Sequence, residues 1–295
     1  MAADTAVKAP VKAVAPIAYW TFEVGGRYWY SNGRNRFDYY GGPTTASPIV
    51  SALNYDSTKG HTGEVFFRVD SPVGIFIKGN AGGGMLVSGT LYDEDFPPKF
   101  NPTSRTASDI RGDLSYATID AGYSFYDGRK SGGVPVRLGA FVGYNYWSET
   151  DNAFGCRQIN ANPNVCFGPN IIPTSDRVIM EQDKWNSFRA GGVVDWWLTQ
   201  QLKFTGEAAF ISARQSAQDT HYFTFGPDPA SGSGYGFQTE ALLDYAVTNN
   251  FSVGVGGRWW HLRTGANDIF DQHLEYTTDR YGGFLQASYK FNSGN

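Results

Sequence analysis

The stretch Leu202–His221, LKFTGEAAFISARQSAQDTH, alternates between apolar and polar residues with a period of two. Successive strand side chains point to opposite faces. Leu202, Phe204, Ala208 and Phe210 therefore share one face, and Lys203, Thr205, Glu207, Gln215, Asp219 and His221 share the other. The polar face ends in a carboxylate and an imidazole two residues apart. At that spacing the carboxylate can orient the ring and favour its charged form.

Working outward, the same period runs through nearly every segment from Tyr19 onward. YWTFEVGGRYWY sets Trp20, Phe22, Val24 and Tyr28 against Glu23 and Arg27, and GEVFFRVD sets Val65, Phe67 and Val69 against Glu64, Phe66, Arg68 and Asp70. VGIFIKGN, SYATIDAGYSFYDG, VPVRLGAFVGYNYW, NSFRAGGVVDWWLT, GFQTEALLDYAV, FSVGVGGRWW and YGGFLQASYKF repeat it, which brings the number of expected strands to ten. The connections alternate as well. Those at Ser71, Asp127, Thr199 and Thr248 are short, whereas those near 32–50, 93–114, 147–185, 222–235 and 263–279 are long and polar. An even strand count with short turns at one end and long loops at the other is the pattern of an outer-membrane barrel.

Composition agrees. The chain of 295 residues has 36 glycines and 16% aromatic residues, which suits strands, and no apolar run approaches the roughly 20 residues of a membrane helix. A net charge of −4 with no Lys/Arg run offers no face for nucleic acid, so that class of partner is set aside. Residues 1–17, rich in Ala, Pro, Lys and Val and lacking a signal-peptide pattern, read as a flexible leader. A single barrel domain is expected over 18–291, with 292–295 as a tail. Cys156 and Cys166, the only cysteines, close a small ring if oxidised, and read as one disulfide in an oxidising compartment.

A soluble sandwich or lipocalin-like barrel would point its apolar face inward. The charges decide against it. Glu23, Glu64, Asp70, Asp120, Asp195, Glu207, Glu240 and Asp244 share the polar face with Arg27, Arg68, Lys78, Arg137, Arg189, Lys203, Arg258 and Lys290. Buried charges are tolerable when paired, so a balanced set fits a narrow, filled lumen. The apolar and aromatic face exceeds what one interior could hold and is assigned to lipid. The expected fold is all-β: a ten-stranded antiparallel transmembrane barrel.

On that frame Asp219 and His221 fall at the loop end of the seventh strand, and the run Tyr92-Asp93-Glu94-Asp95-Phe96 at the same end of the third. Facing carboxylates and an Asp/His pair would supply a base, its orienter and groups that fix a water nucleophile. LYDEDF and QDTHYF resemble the paired motifs of the omptin family of outer-membrane endopeptidases, ten-stranded barrels with an Asp-x-Asp on strand three and an Asp-x-His on strand seven. The similarity extends over about residues 20–291. It implies His221 as general base on a water, Asp219 as its orienter, Asp93 and Asp95 holding the water and the tetrahedral centre, and no cofactor. The family's acidic pocket for a basic residue falls here on Ala217 and, at the end of strand one, on Phe37 with Asp38 adjacent, so that preference lacks its residues. Of the family's lipopolysaccharide-binding residues on strand five, Tyr144 matches, while Tyr146 and Ser148 stand where an acid and a base are expected.

Alternation counted from Lys78 and Asn80 puts Asp93 and Asp95 on the lipid phase. A one-residue bulge would return them to the lumen, and Gly82-Gly83-Gly84 is the candidate place. His61 and His273 read as exposed and His261 as rim packing; no Cys/His spacing reads as zinc. The expected function is an endopeptidase working on peptides or proteins in an extracellular groove as a monomer, with outer-membrane lipid as partner and lipopolysaccharide as a candidate activator. The alternative is a non-enzymatic surface barrel of the adhesin or opacity type, binding partners through its loops.

Overall fold

A computed structural model describes residues 19–160, 165–166, 171–223 and 226–293. The leader read over residues 1–17 lies outside these residues. Ten strands run in chain order: β1 (Thr21–Tyr40), β2 (Ile49–Asp70), β3 (Ile75–Asp95), β4 (Ser104–Asp127), β5 (Val136–Asn160), β6 (Ile171–Trp197), β7 (Leu202–His221), β8 (Gly226–Ala246), β9 (Phe251–Asp268) and β10 (His273–Asn292). Each pairs antiparallel with its sequence neighbours, and β1 pairs with β10 to close the ring. Closure leaves no edge, as a sheet in lipid requires. β10 extends past the domain boundary read at 291: Asn292 pairs with Thr21, and the Ser293 amide donates to Trp20 O.

The polar excursions differ from the sequence expectation of long loops. They are mostly ladder, β5 and β6 remaining paired from Val136–Trp196 up to Arg157–Ile171. Above the bilayer both faces of a strand are polar, so the alternation that marks it in the sequence fades while its hydrogen bonds continue.

Outward positions near the turn end are apolar and exposed, among them Val24, Val65, Ile77, Ile119, Val142 and Val255. Tyr30, Tyr144, Tyr235, Trp259 and Tyr281 ring this band on its far side, as interfacial aromatics do. Inward, all sixteen charges of the balanced set are paired. Arg258 meets Glu64 and Glu240 at 2.7 Å each, and Arg27 meets the same two at 3.1 and 2.9 Å. Arg137 reaches Asp195 at 2.6 Å and Asp70 at 2.9 Å, and Arg68 meets the same two acids. Lys78 and Arg189 each bridge Asp120 and Glu207, and Lys290 joins Glu23 and Asp244, with Lys203 also on Asp244.

Above this network Trp29, Tyr116, Trp147 and Trp260 pack across the lumen with ring centroids 5.0–6.3 Å apart. The interior is thus filled by paired charge and then by aromatic rings. Removing one partner from such a network strands its neighbours. Arg258→Met leaves Glu64 and Glu240 short of a cation and should lower stability by about 3–5 kcal/mol, measured by denaturant unfolding in lipid vesicles; Arg34→Met, on an exposed surface pair with Asp56, should change it by less than about 1 kcal/mol.

Candidate active site at the mouth of the barrel

The polar face of β7 keeps its phase from Lys203 to His221, whereas β3 changes phase on the way up. Phe76 and Leu86 face inward on even numbers; Leu91 and Asp95 face inward on odd ones. Between them, β3 runs from Leu86 to Thr90 while β4 covers only Gly112 to Asp109, so β3 carries one extra residue. β2 does the same against β1, Ser57 and Asp56 between Thr58 and Tyr55 opposing the single Arg34 between Gly33 and Asn35. The irregular stretches adjoin, Asp56 pairing with Thr90 and Lys59 with Ser88.

The bulge therefore exists, but not at Gly82-Gly83-Gly84, which stay in regular register with Glu64, Gly63 and Thr62. It lies at Val87-Ser88-Gly89. Ser57 takes the left-handed conformation at φ 55°. At Gly89 an added Cβ would lie 3.0 Å from the Thr58 methyl and 3.2 Å from Ile110, so the turn of phase is packed as well as paired.

Beyond the shift, Asp95 accepts a hydrogen bond from Ser51 Oγ at 2.9 Å and meets Lys99 Nζ at 2.7 Å. Glu94, between the two aspartates, turns outward to Arg105 at 3.2 Å. On β7 the His221 Nε2–H donates to Asp219 Oδ2 at 2.9 Å, and the Tyr39 hydroxyl donates to the same oxygen at 3.1 Å. A cavity of about 400 Å³ opens here, lined by Tyr39, Ser51, Lys99, Asp219, His221 and Asp228 among polar residues and walled by Val50, Leu53, Pro98 and Phe270. It is roomy enough for an extended peptide segment and its water.

These residues stand above the aromatic ring of the membrane band. Burial and the Asp95 charge push Asp93 up to about 7, with His221 and Lys99 pulling the other way. For His221 burial opposes the charged ring, yet the charge and hydrogen bond of Asp219, helped by Asp93, raise it above its ordinary value. An acid and a base that are both raised and act on each other are the pattern of proton-transfer chemistry.

Of the other candidate positions, Phe37 faces inward but is buried in the floor, its ring 4.3 Å from that of Tyr276. Ala217 is inward and buried, opposite Asp183. Asp38 does not belong to the pocket. It occupies the outward phase of β1, held by Arg36 at 2.9 Å and opposite Glu275 in the ladder, because the inward phase there belongs to Phe37 and Tyr39. Tyr144 faces outward, edge-on to Phe188 and bonded to Asn186. Cys156 and Cys166 form a disulfide at a Cα separation of 5.6 Å. His61, His261 and His273 all sit on outward phases, His261 bonded to Asp279 at 2.9 Å. Among the described residues no group of three or more His, Cys, Asp or Glu is arranged to hold a metal ion.

Reading the residues missed Tyr39 and Lys99, and also the acids beneath the site, Glu149, Asp151, Glu181 and Asp183, all 1–2% exposed. A signal for Glu181 and Asp183 was present: both continue the odd phase of Arg189 and Asp195 back along β6.

No protein-family model matches the chain, and no curated protein matches it in sequence. Its structure is similar to that of the outer-membrane protease OmpT of Escherichia coli, with a TM-score of 0.70 over 92% of this chain and 96% of OmpT at 17% identity. The fold is that of a ten-stranded outer-membrane barrel. Matches at lower scores include OprG of Pseudomonas aeruginosa (TM-score 0.42, 9% identity, 95% and 99% covered) and Ail of Yersinia pestis (0.30, 10%, 92% and 99%).

The sign of the Asp219 effect is testable. Since that carboxylate raises His221, Asp219→Asn should move the His221 midpoint down, followed by NMR of ring-labelled histidine. An unchanged or higher midpoint would mean that the pair is not electrostatically joined.

Proposed function

We propose that this chain is an outer-membrane endopeptidase whose mouth faces the cell exterior and cleaves peptide bonds with an activated water. The observation that carries the reading is the double bulge in β2 and β3, which turns Asp93 and Asp95 into the mouth toward the Asp219–His221 pair. Structural packing alone gives no reason to gather two acids, an acid-bound imidazole and a cavity at one rim. The similarity in fold to a protease barrel supports it.

In this reading His221 takes a proton from the water, and the resulting hydroxide attacks the scissile carbonyl carbon. Asp219, held by Tyr39, keeps the ring in place and stabilises its charged form. Asp95, fixed by Ser51 and Lys99, orients the water. Asp93, which holds a proton near neutral pH, donates to the developing oxyanion. The imidazolium then gives its proton to the departing amine, and the site returns to its starting state.

Phe37 and Ala217 supply no charge to a substrate side chain, so preference at the cleaved bond is set by other groups. Tyr144 on the outer girdle is the proposed contact for outer-membrane lipid, with lipopolysaccharide as activator.

The test is cleavage of a quenched peptide library by the barrel refolded with lipopolysaccharide. His221→Ala should slow cleavage by about 10²–10⁴-fold, and Asp93→Ala by a comparable factor, with the barrel still folded. Equal cleavage by parent and variants would remove the mechanism, and no cleavage by the parent would favour a binding barrel.

A further inference from the structure

Of the buried carboxyl groups that the mechanism leaves unused, Glu181 borders the Asp219–His221 pair directly. Glu181 lies on β6 directly opposite Asp219 on β7, and the two residues are 1% and 4% exposed. Directly opposed residues of an antiparallel pair stand close enough for side chains to meet. Both carboxyl oxygens of Glu181 are buried without a hydrogen-bond partner, and so is Asp219 Oδ1, the oxygen that His221 and Tyr39 do not use.

No cation relieves Glu181 among the described residues. It faces Asp151 from β5, Asp183 from its own strand, Asp219 from β7 and Asp228 from β8, with the Tyr39 and Tyr55 hydroxyls on the β1 and β2 side. Arg280, the nearby base, is spent on Glu149. Asn35 donates to Glu149 and Asp151, and Gln215 to Asp183. A buried carboxylate among carboxylates is the situation in which a proton is retained and shared.

We propose that Glu181 is a positioning residue of the site, a neutral carboxylic acid that donates a hydrogen bond to Asp219 Oδ1 and so holds the carboxylate with Oδ2 toward His221. Such a bond satisfies two orphaned groups at once. Burial and the neighbouring acids raise Glu181 well above the ordinary carboxylate range, which favours the protonated, donating form. The proposal rests on Asp219 and His221 acting as the catalytic pair, but its physical core is a coupling that is present whether or not the barrel cleaves peptides.

That coupling is read by NMR of the His221 ring across pH, with His221→Ala removing the signal to assign it. The lower inflection reports the carboxyl groups beside the ring. Glu181→Gln keeps a neutral donor and should leave the inflection where it is; Glu181→Leu removes the donor and should move it up by about one pH unit, the size of one hydrogen bond to a charged group. The acid limb of peptide cleavage should move with it. A downward shift in both variants would show Glu181 to be an anion and overturn the proposal, as would no shift in either. Should no peptide be cleaved while the inflection moves as stated, the protease reading fails and the coupling stands. Glu181→Gln, close to isosteric, keeps the test valid if Glu181→Leu does not refold.

Discussion

A strand has a period of two, and one inserted residue sends every side chain beyond it to the opposite face. The candidate site of this barrel depends on that constraint being used twice, side by side. β2 gains a residue against β1 and β3 gains one against β4, so the two strands change phase together and stay paired. Had β3 alone shifted, Asp93 and Asp95 would have turned inward while Ser51, which holds Asp95, turned out to solvent. The paired shift moves the anchor with the acid it anchors.

Below the shift the lumen is built for stability. Each of its charges has a partner of opposite sign, and the aromatic layer above seals them from the mouth. Above the shift the balance is reversed. Asp93, Asp151, Glu181, Asp183, Asp219 and Asp228 are gathered with few bases, and among these acids Asp93, Asp151 and Asp228 are raised to about 7, 8 and 6. Burial without pairing is destabilising, and its place at the mouth, next to a cavity, fits a site whose protonation states matter.

Much of the fold was legible in the residues because alternation is a strong signal where one face meets lipid. The stretch Leu202–His221 coincides with β7 itself, and the sorting of charges to the lumen held throughout. Legibility failed above the membrane band. There both faces are polar, so 147–185 read as a loop although most of it is ladder, and Glu181 and Asp183 went unseen with it. The need for a bulge in β3 was evident from the phase of Lys78 against Asp93, but its place was not. Three glycines drew attention, whereas Ser57 and the single Gly89 packed on Thr58 mark the shift. Asp38 shows the same limit, since adjacency in sequence to Phe37 puts it on the opposite face.

In the proposed mechanism the two halves of the candidate site, brought to one rim by the shifted strands, act on one water. The most direct measurement is a double-mutant cycle on single-turnover peptide cleavage with Asp93→Asn, His221→Ala and the two combined. Groups acting as a unit give losses that do not multiply, so the combined variant should be about as slow as the slower single one. Losses that multiply in full would place Asp93 and His221 in separate roles and rule out a shared water.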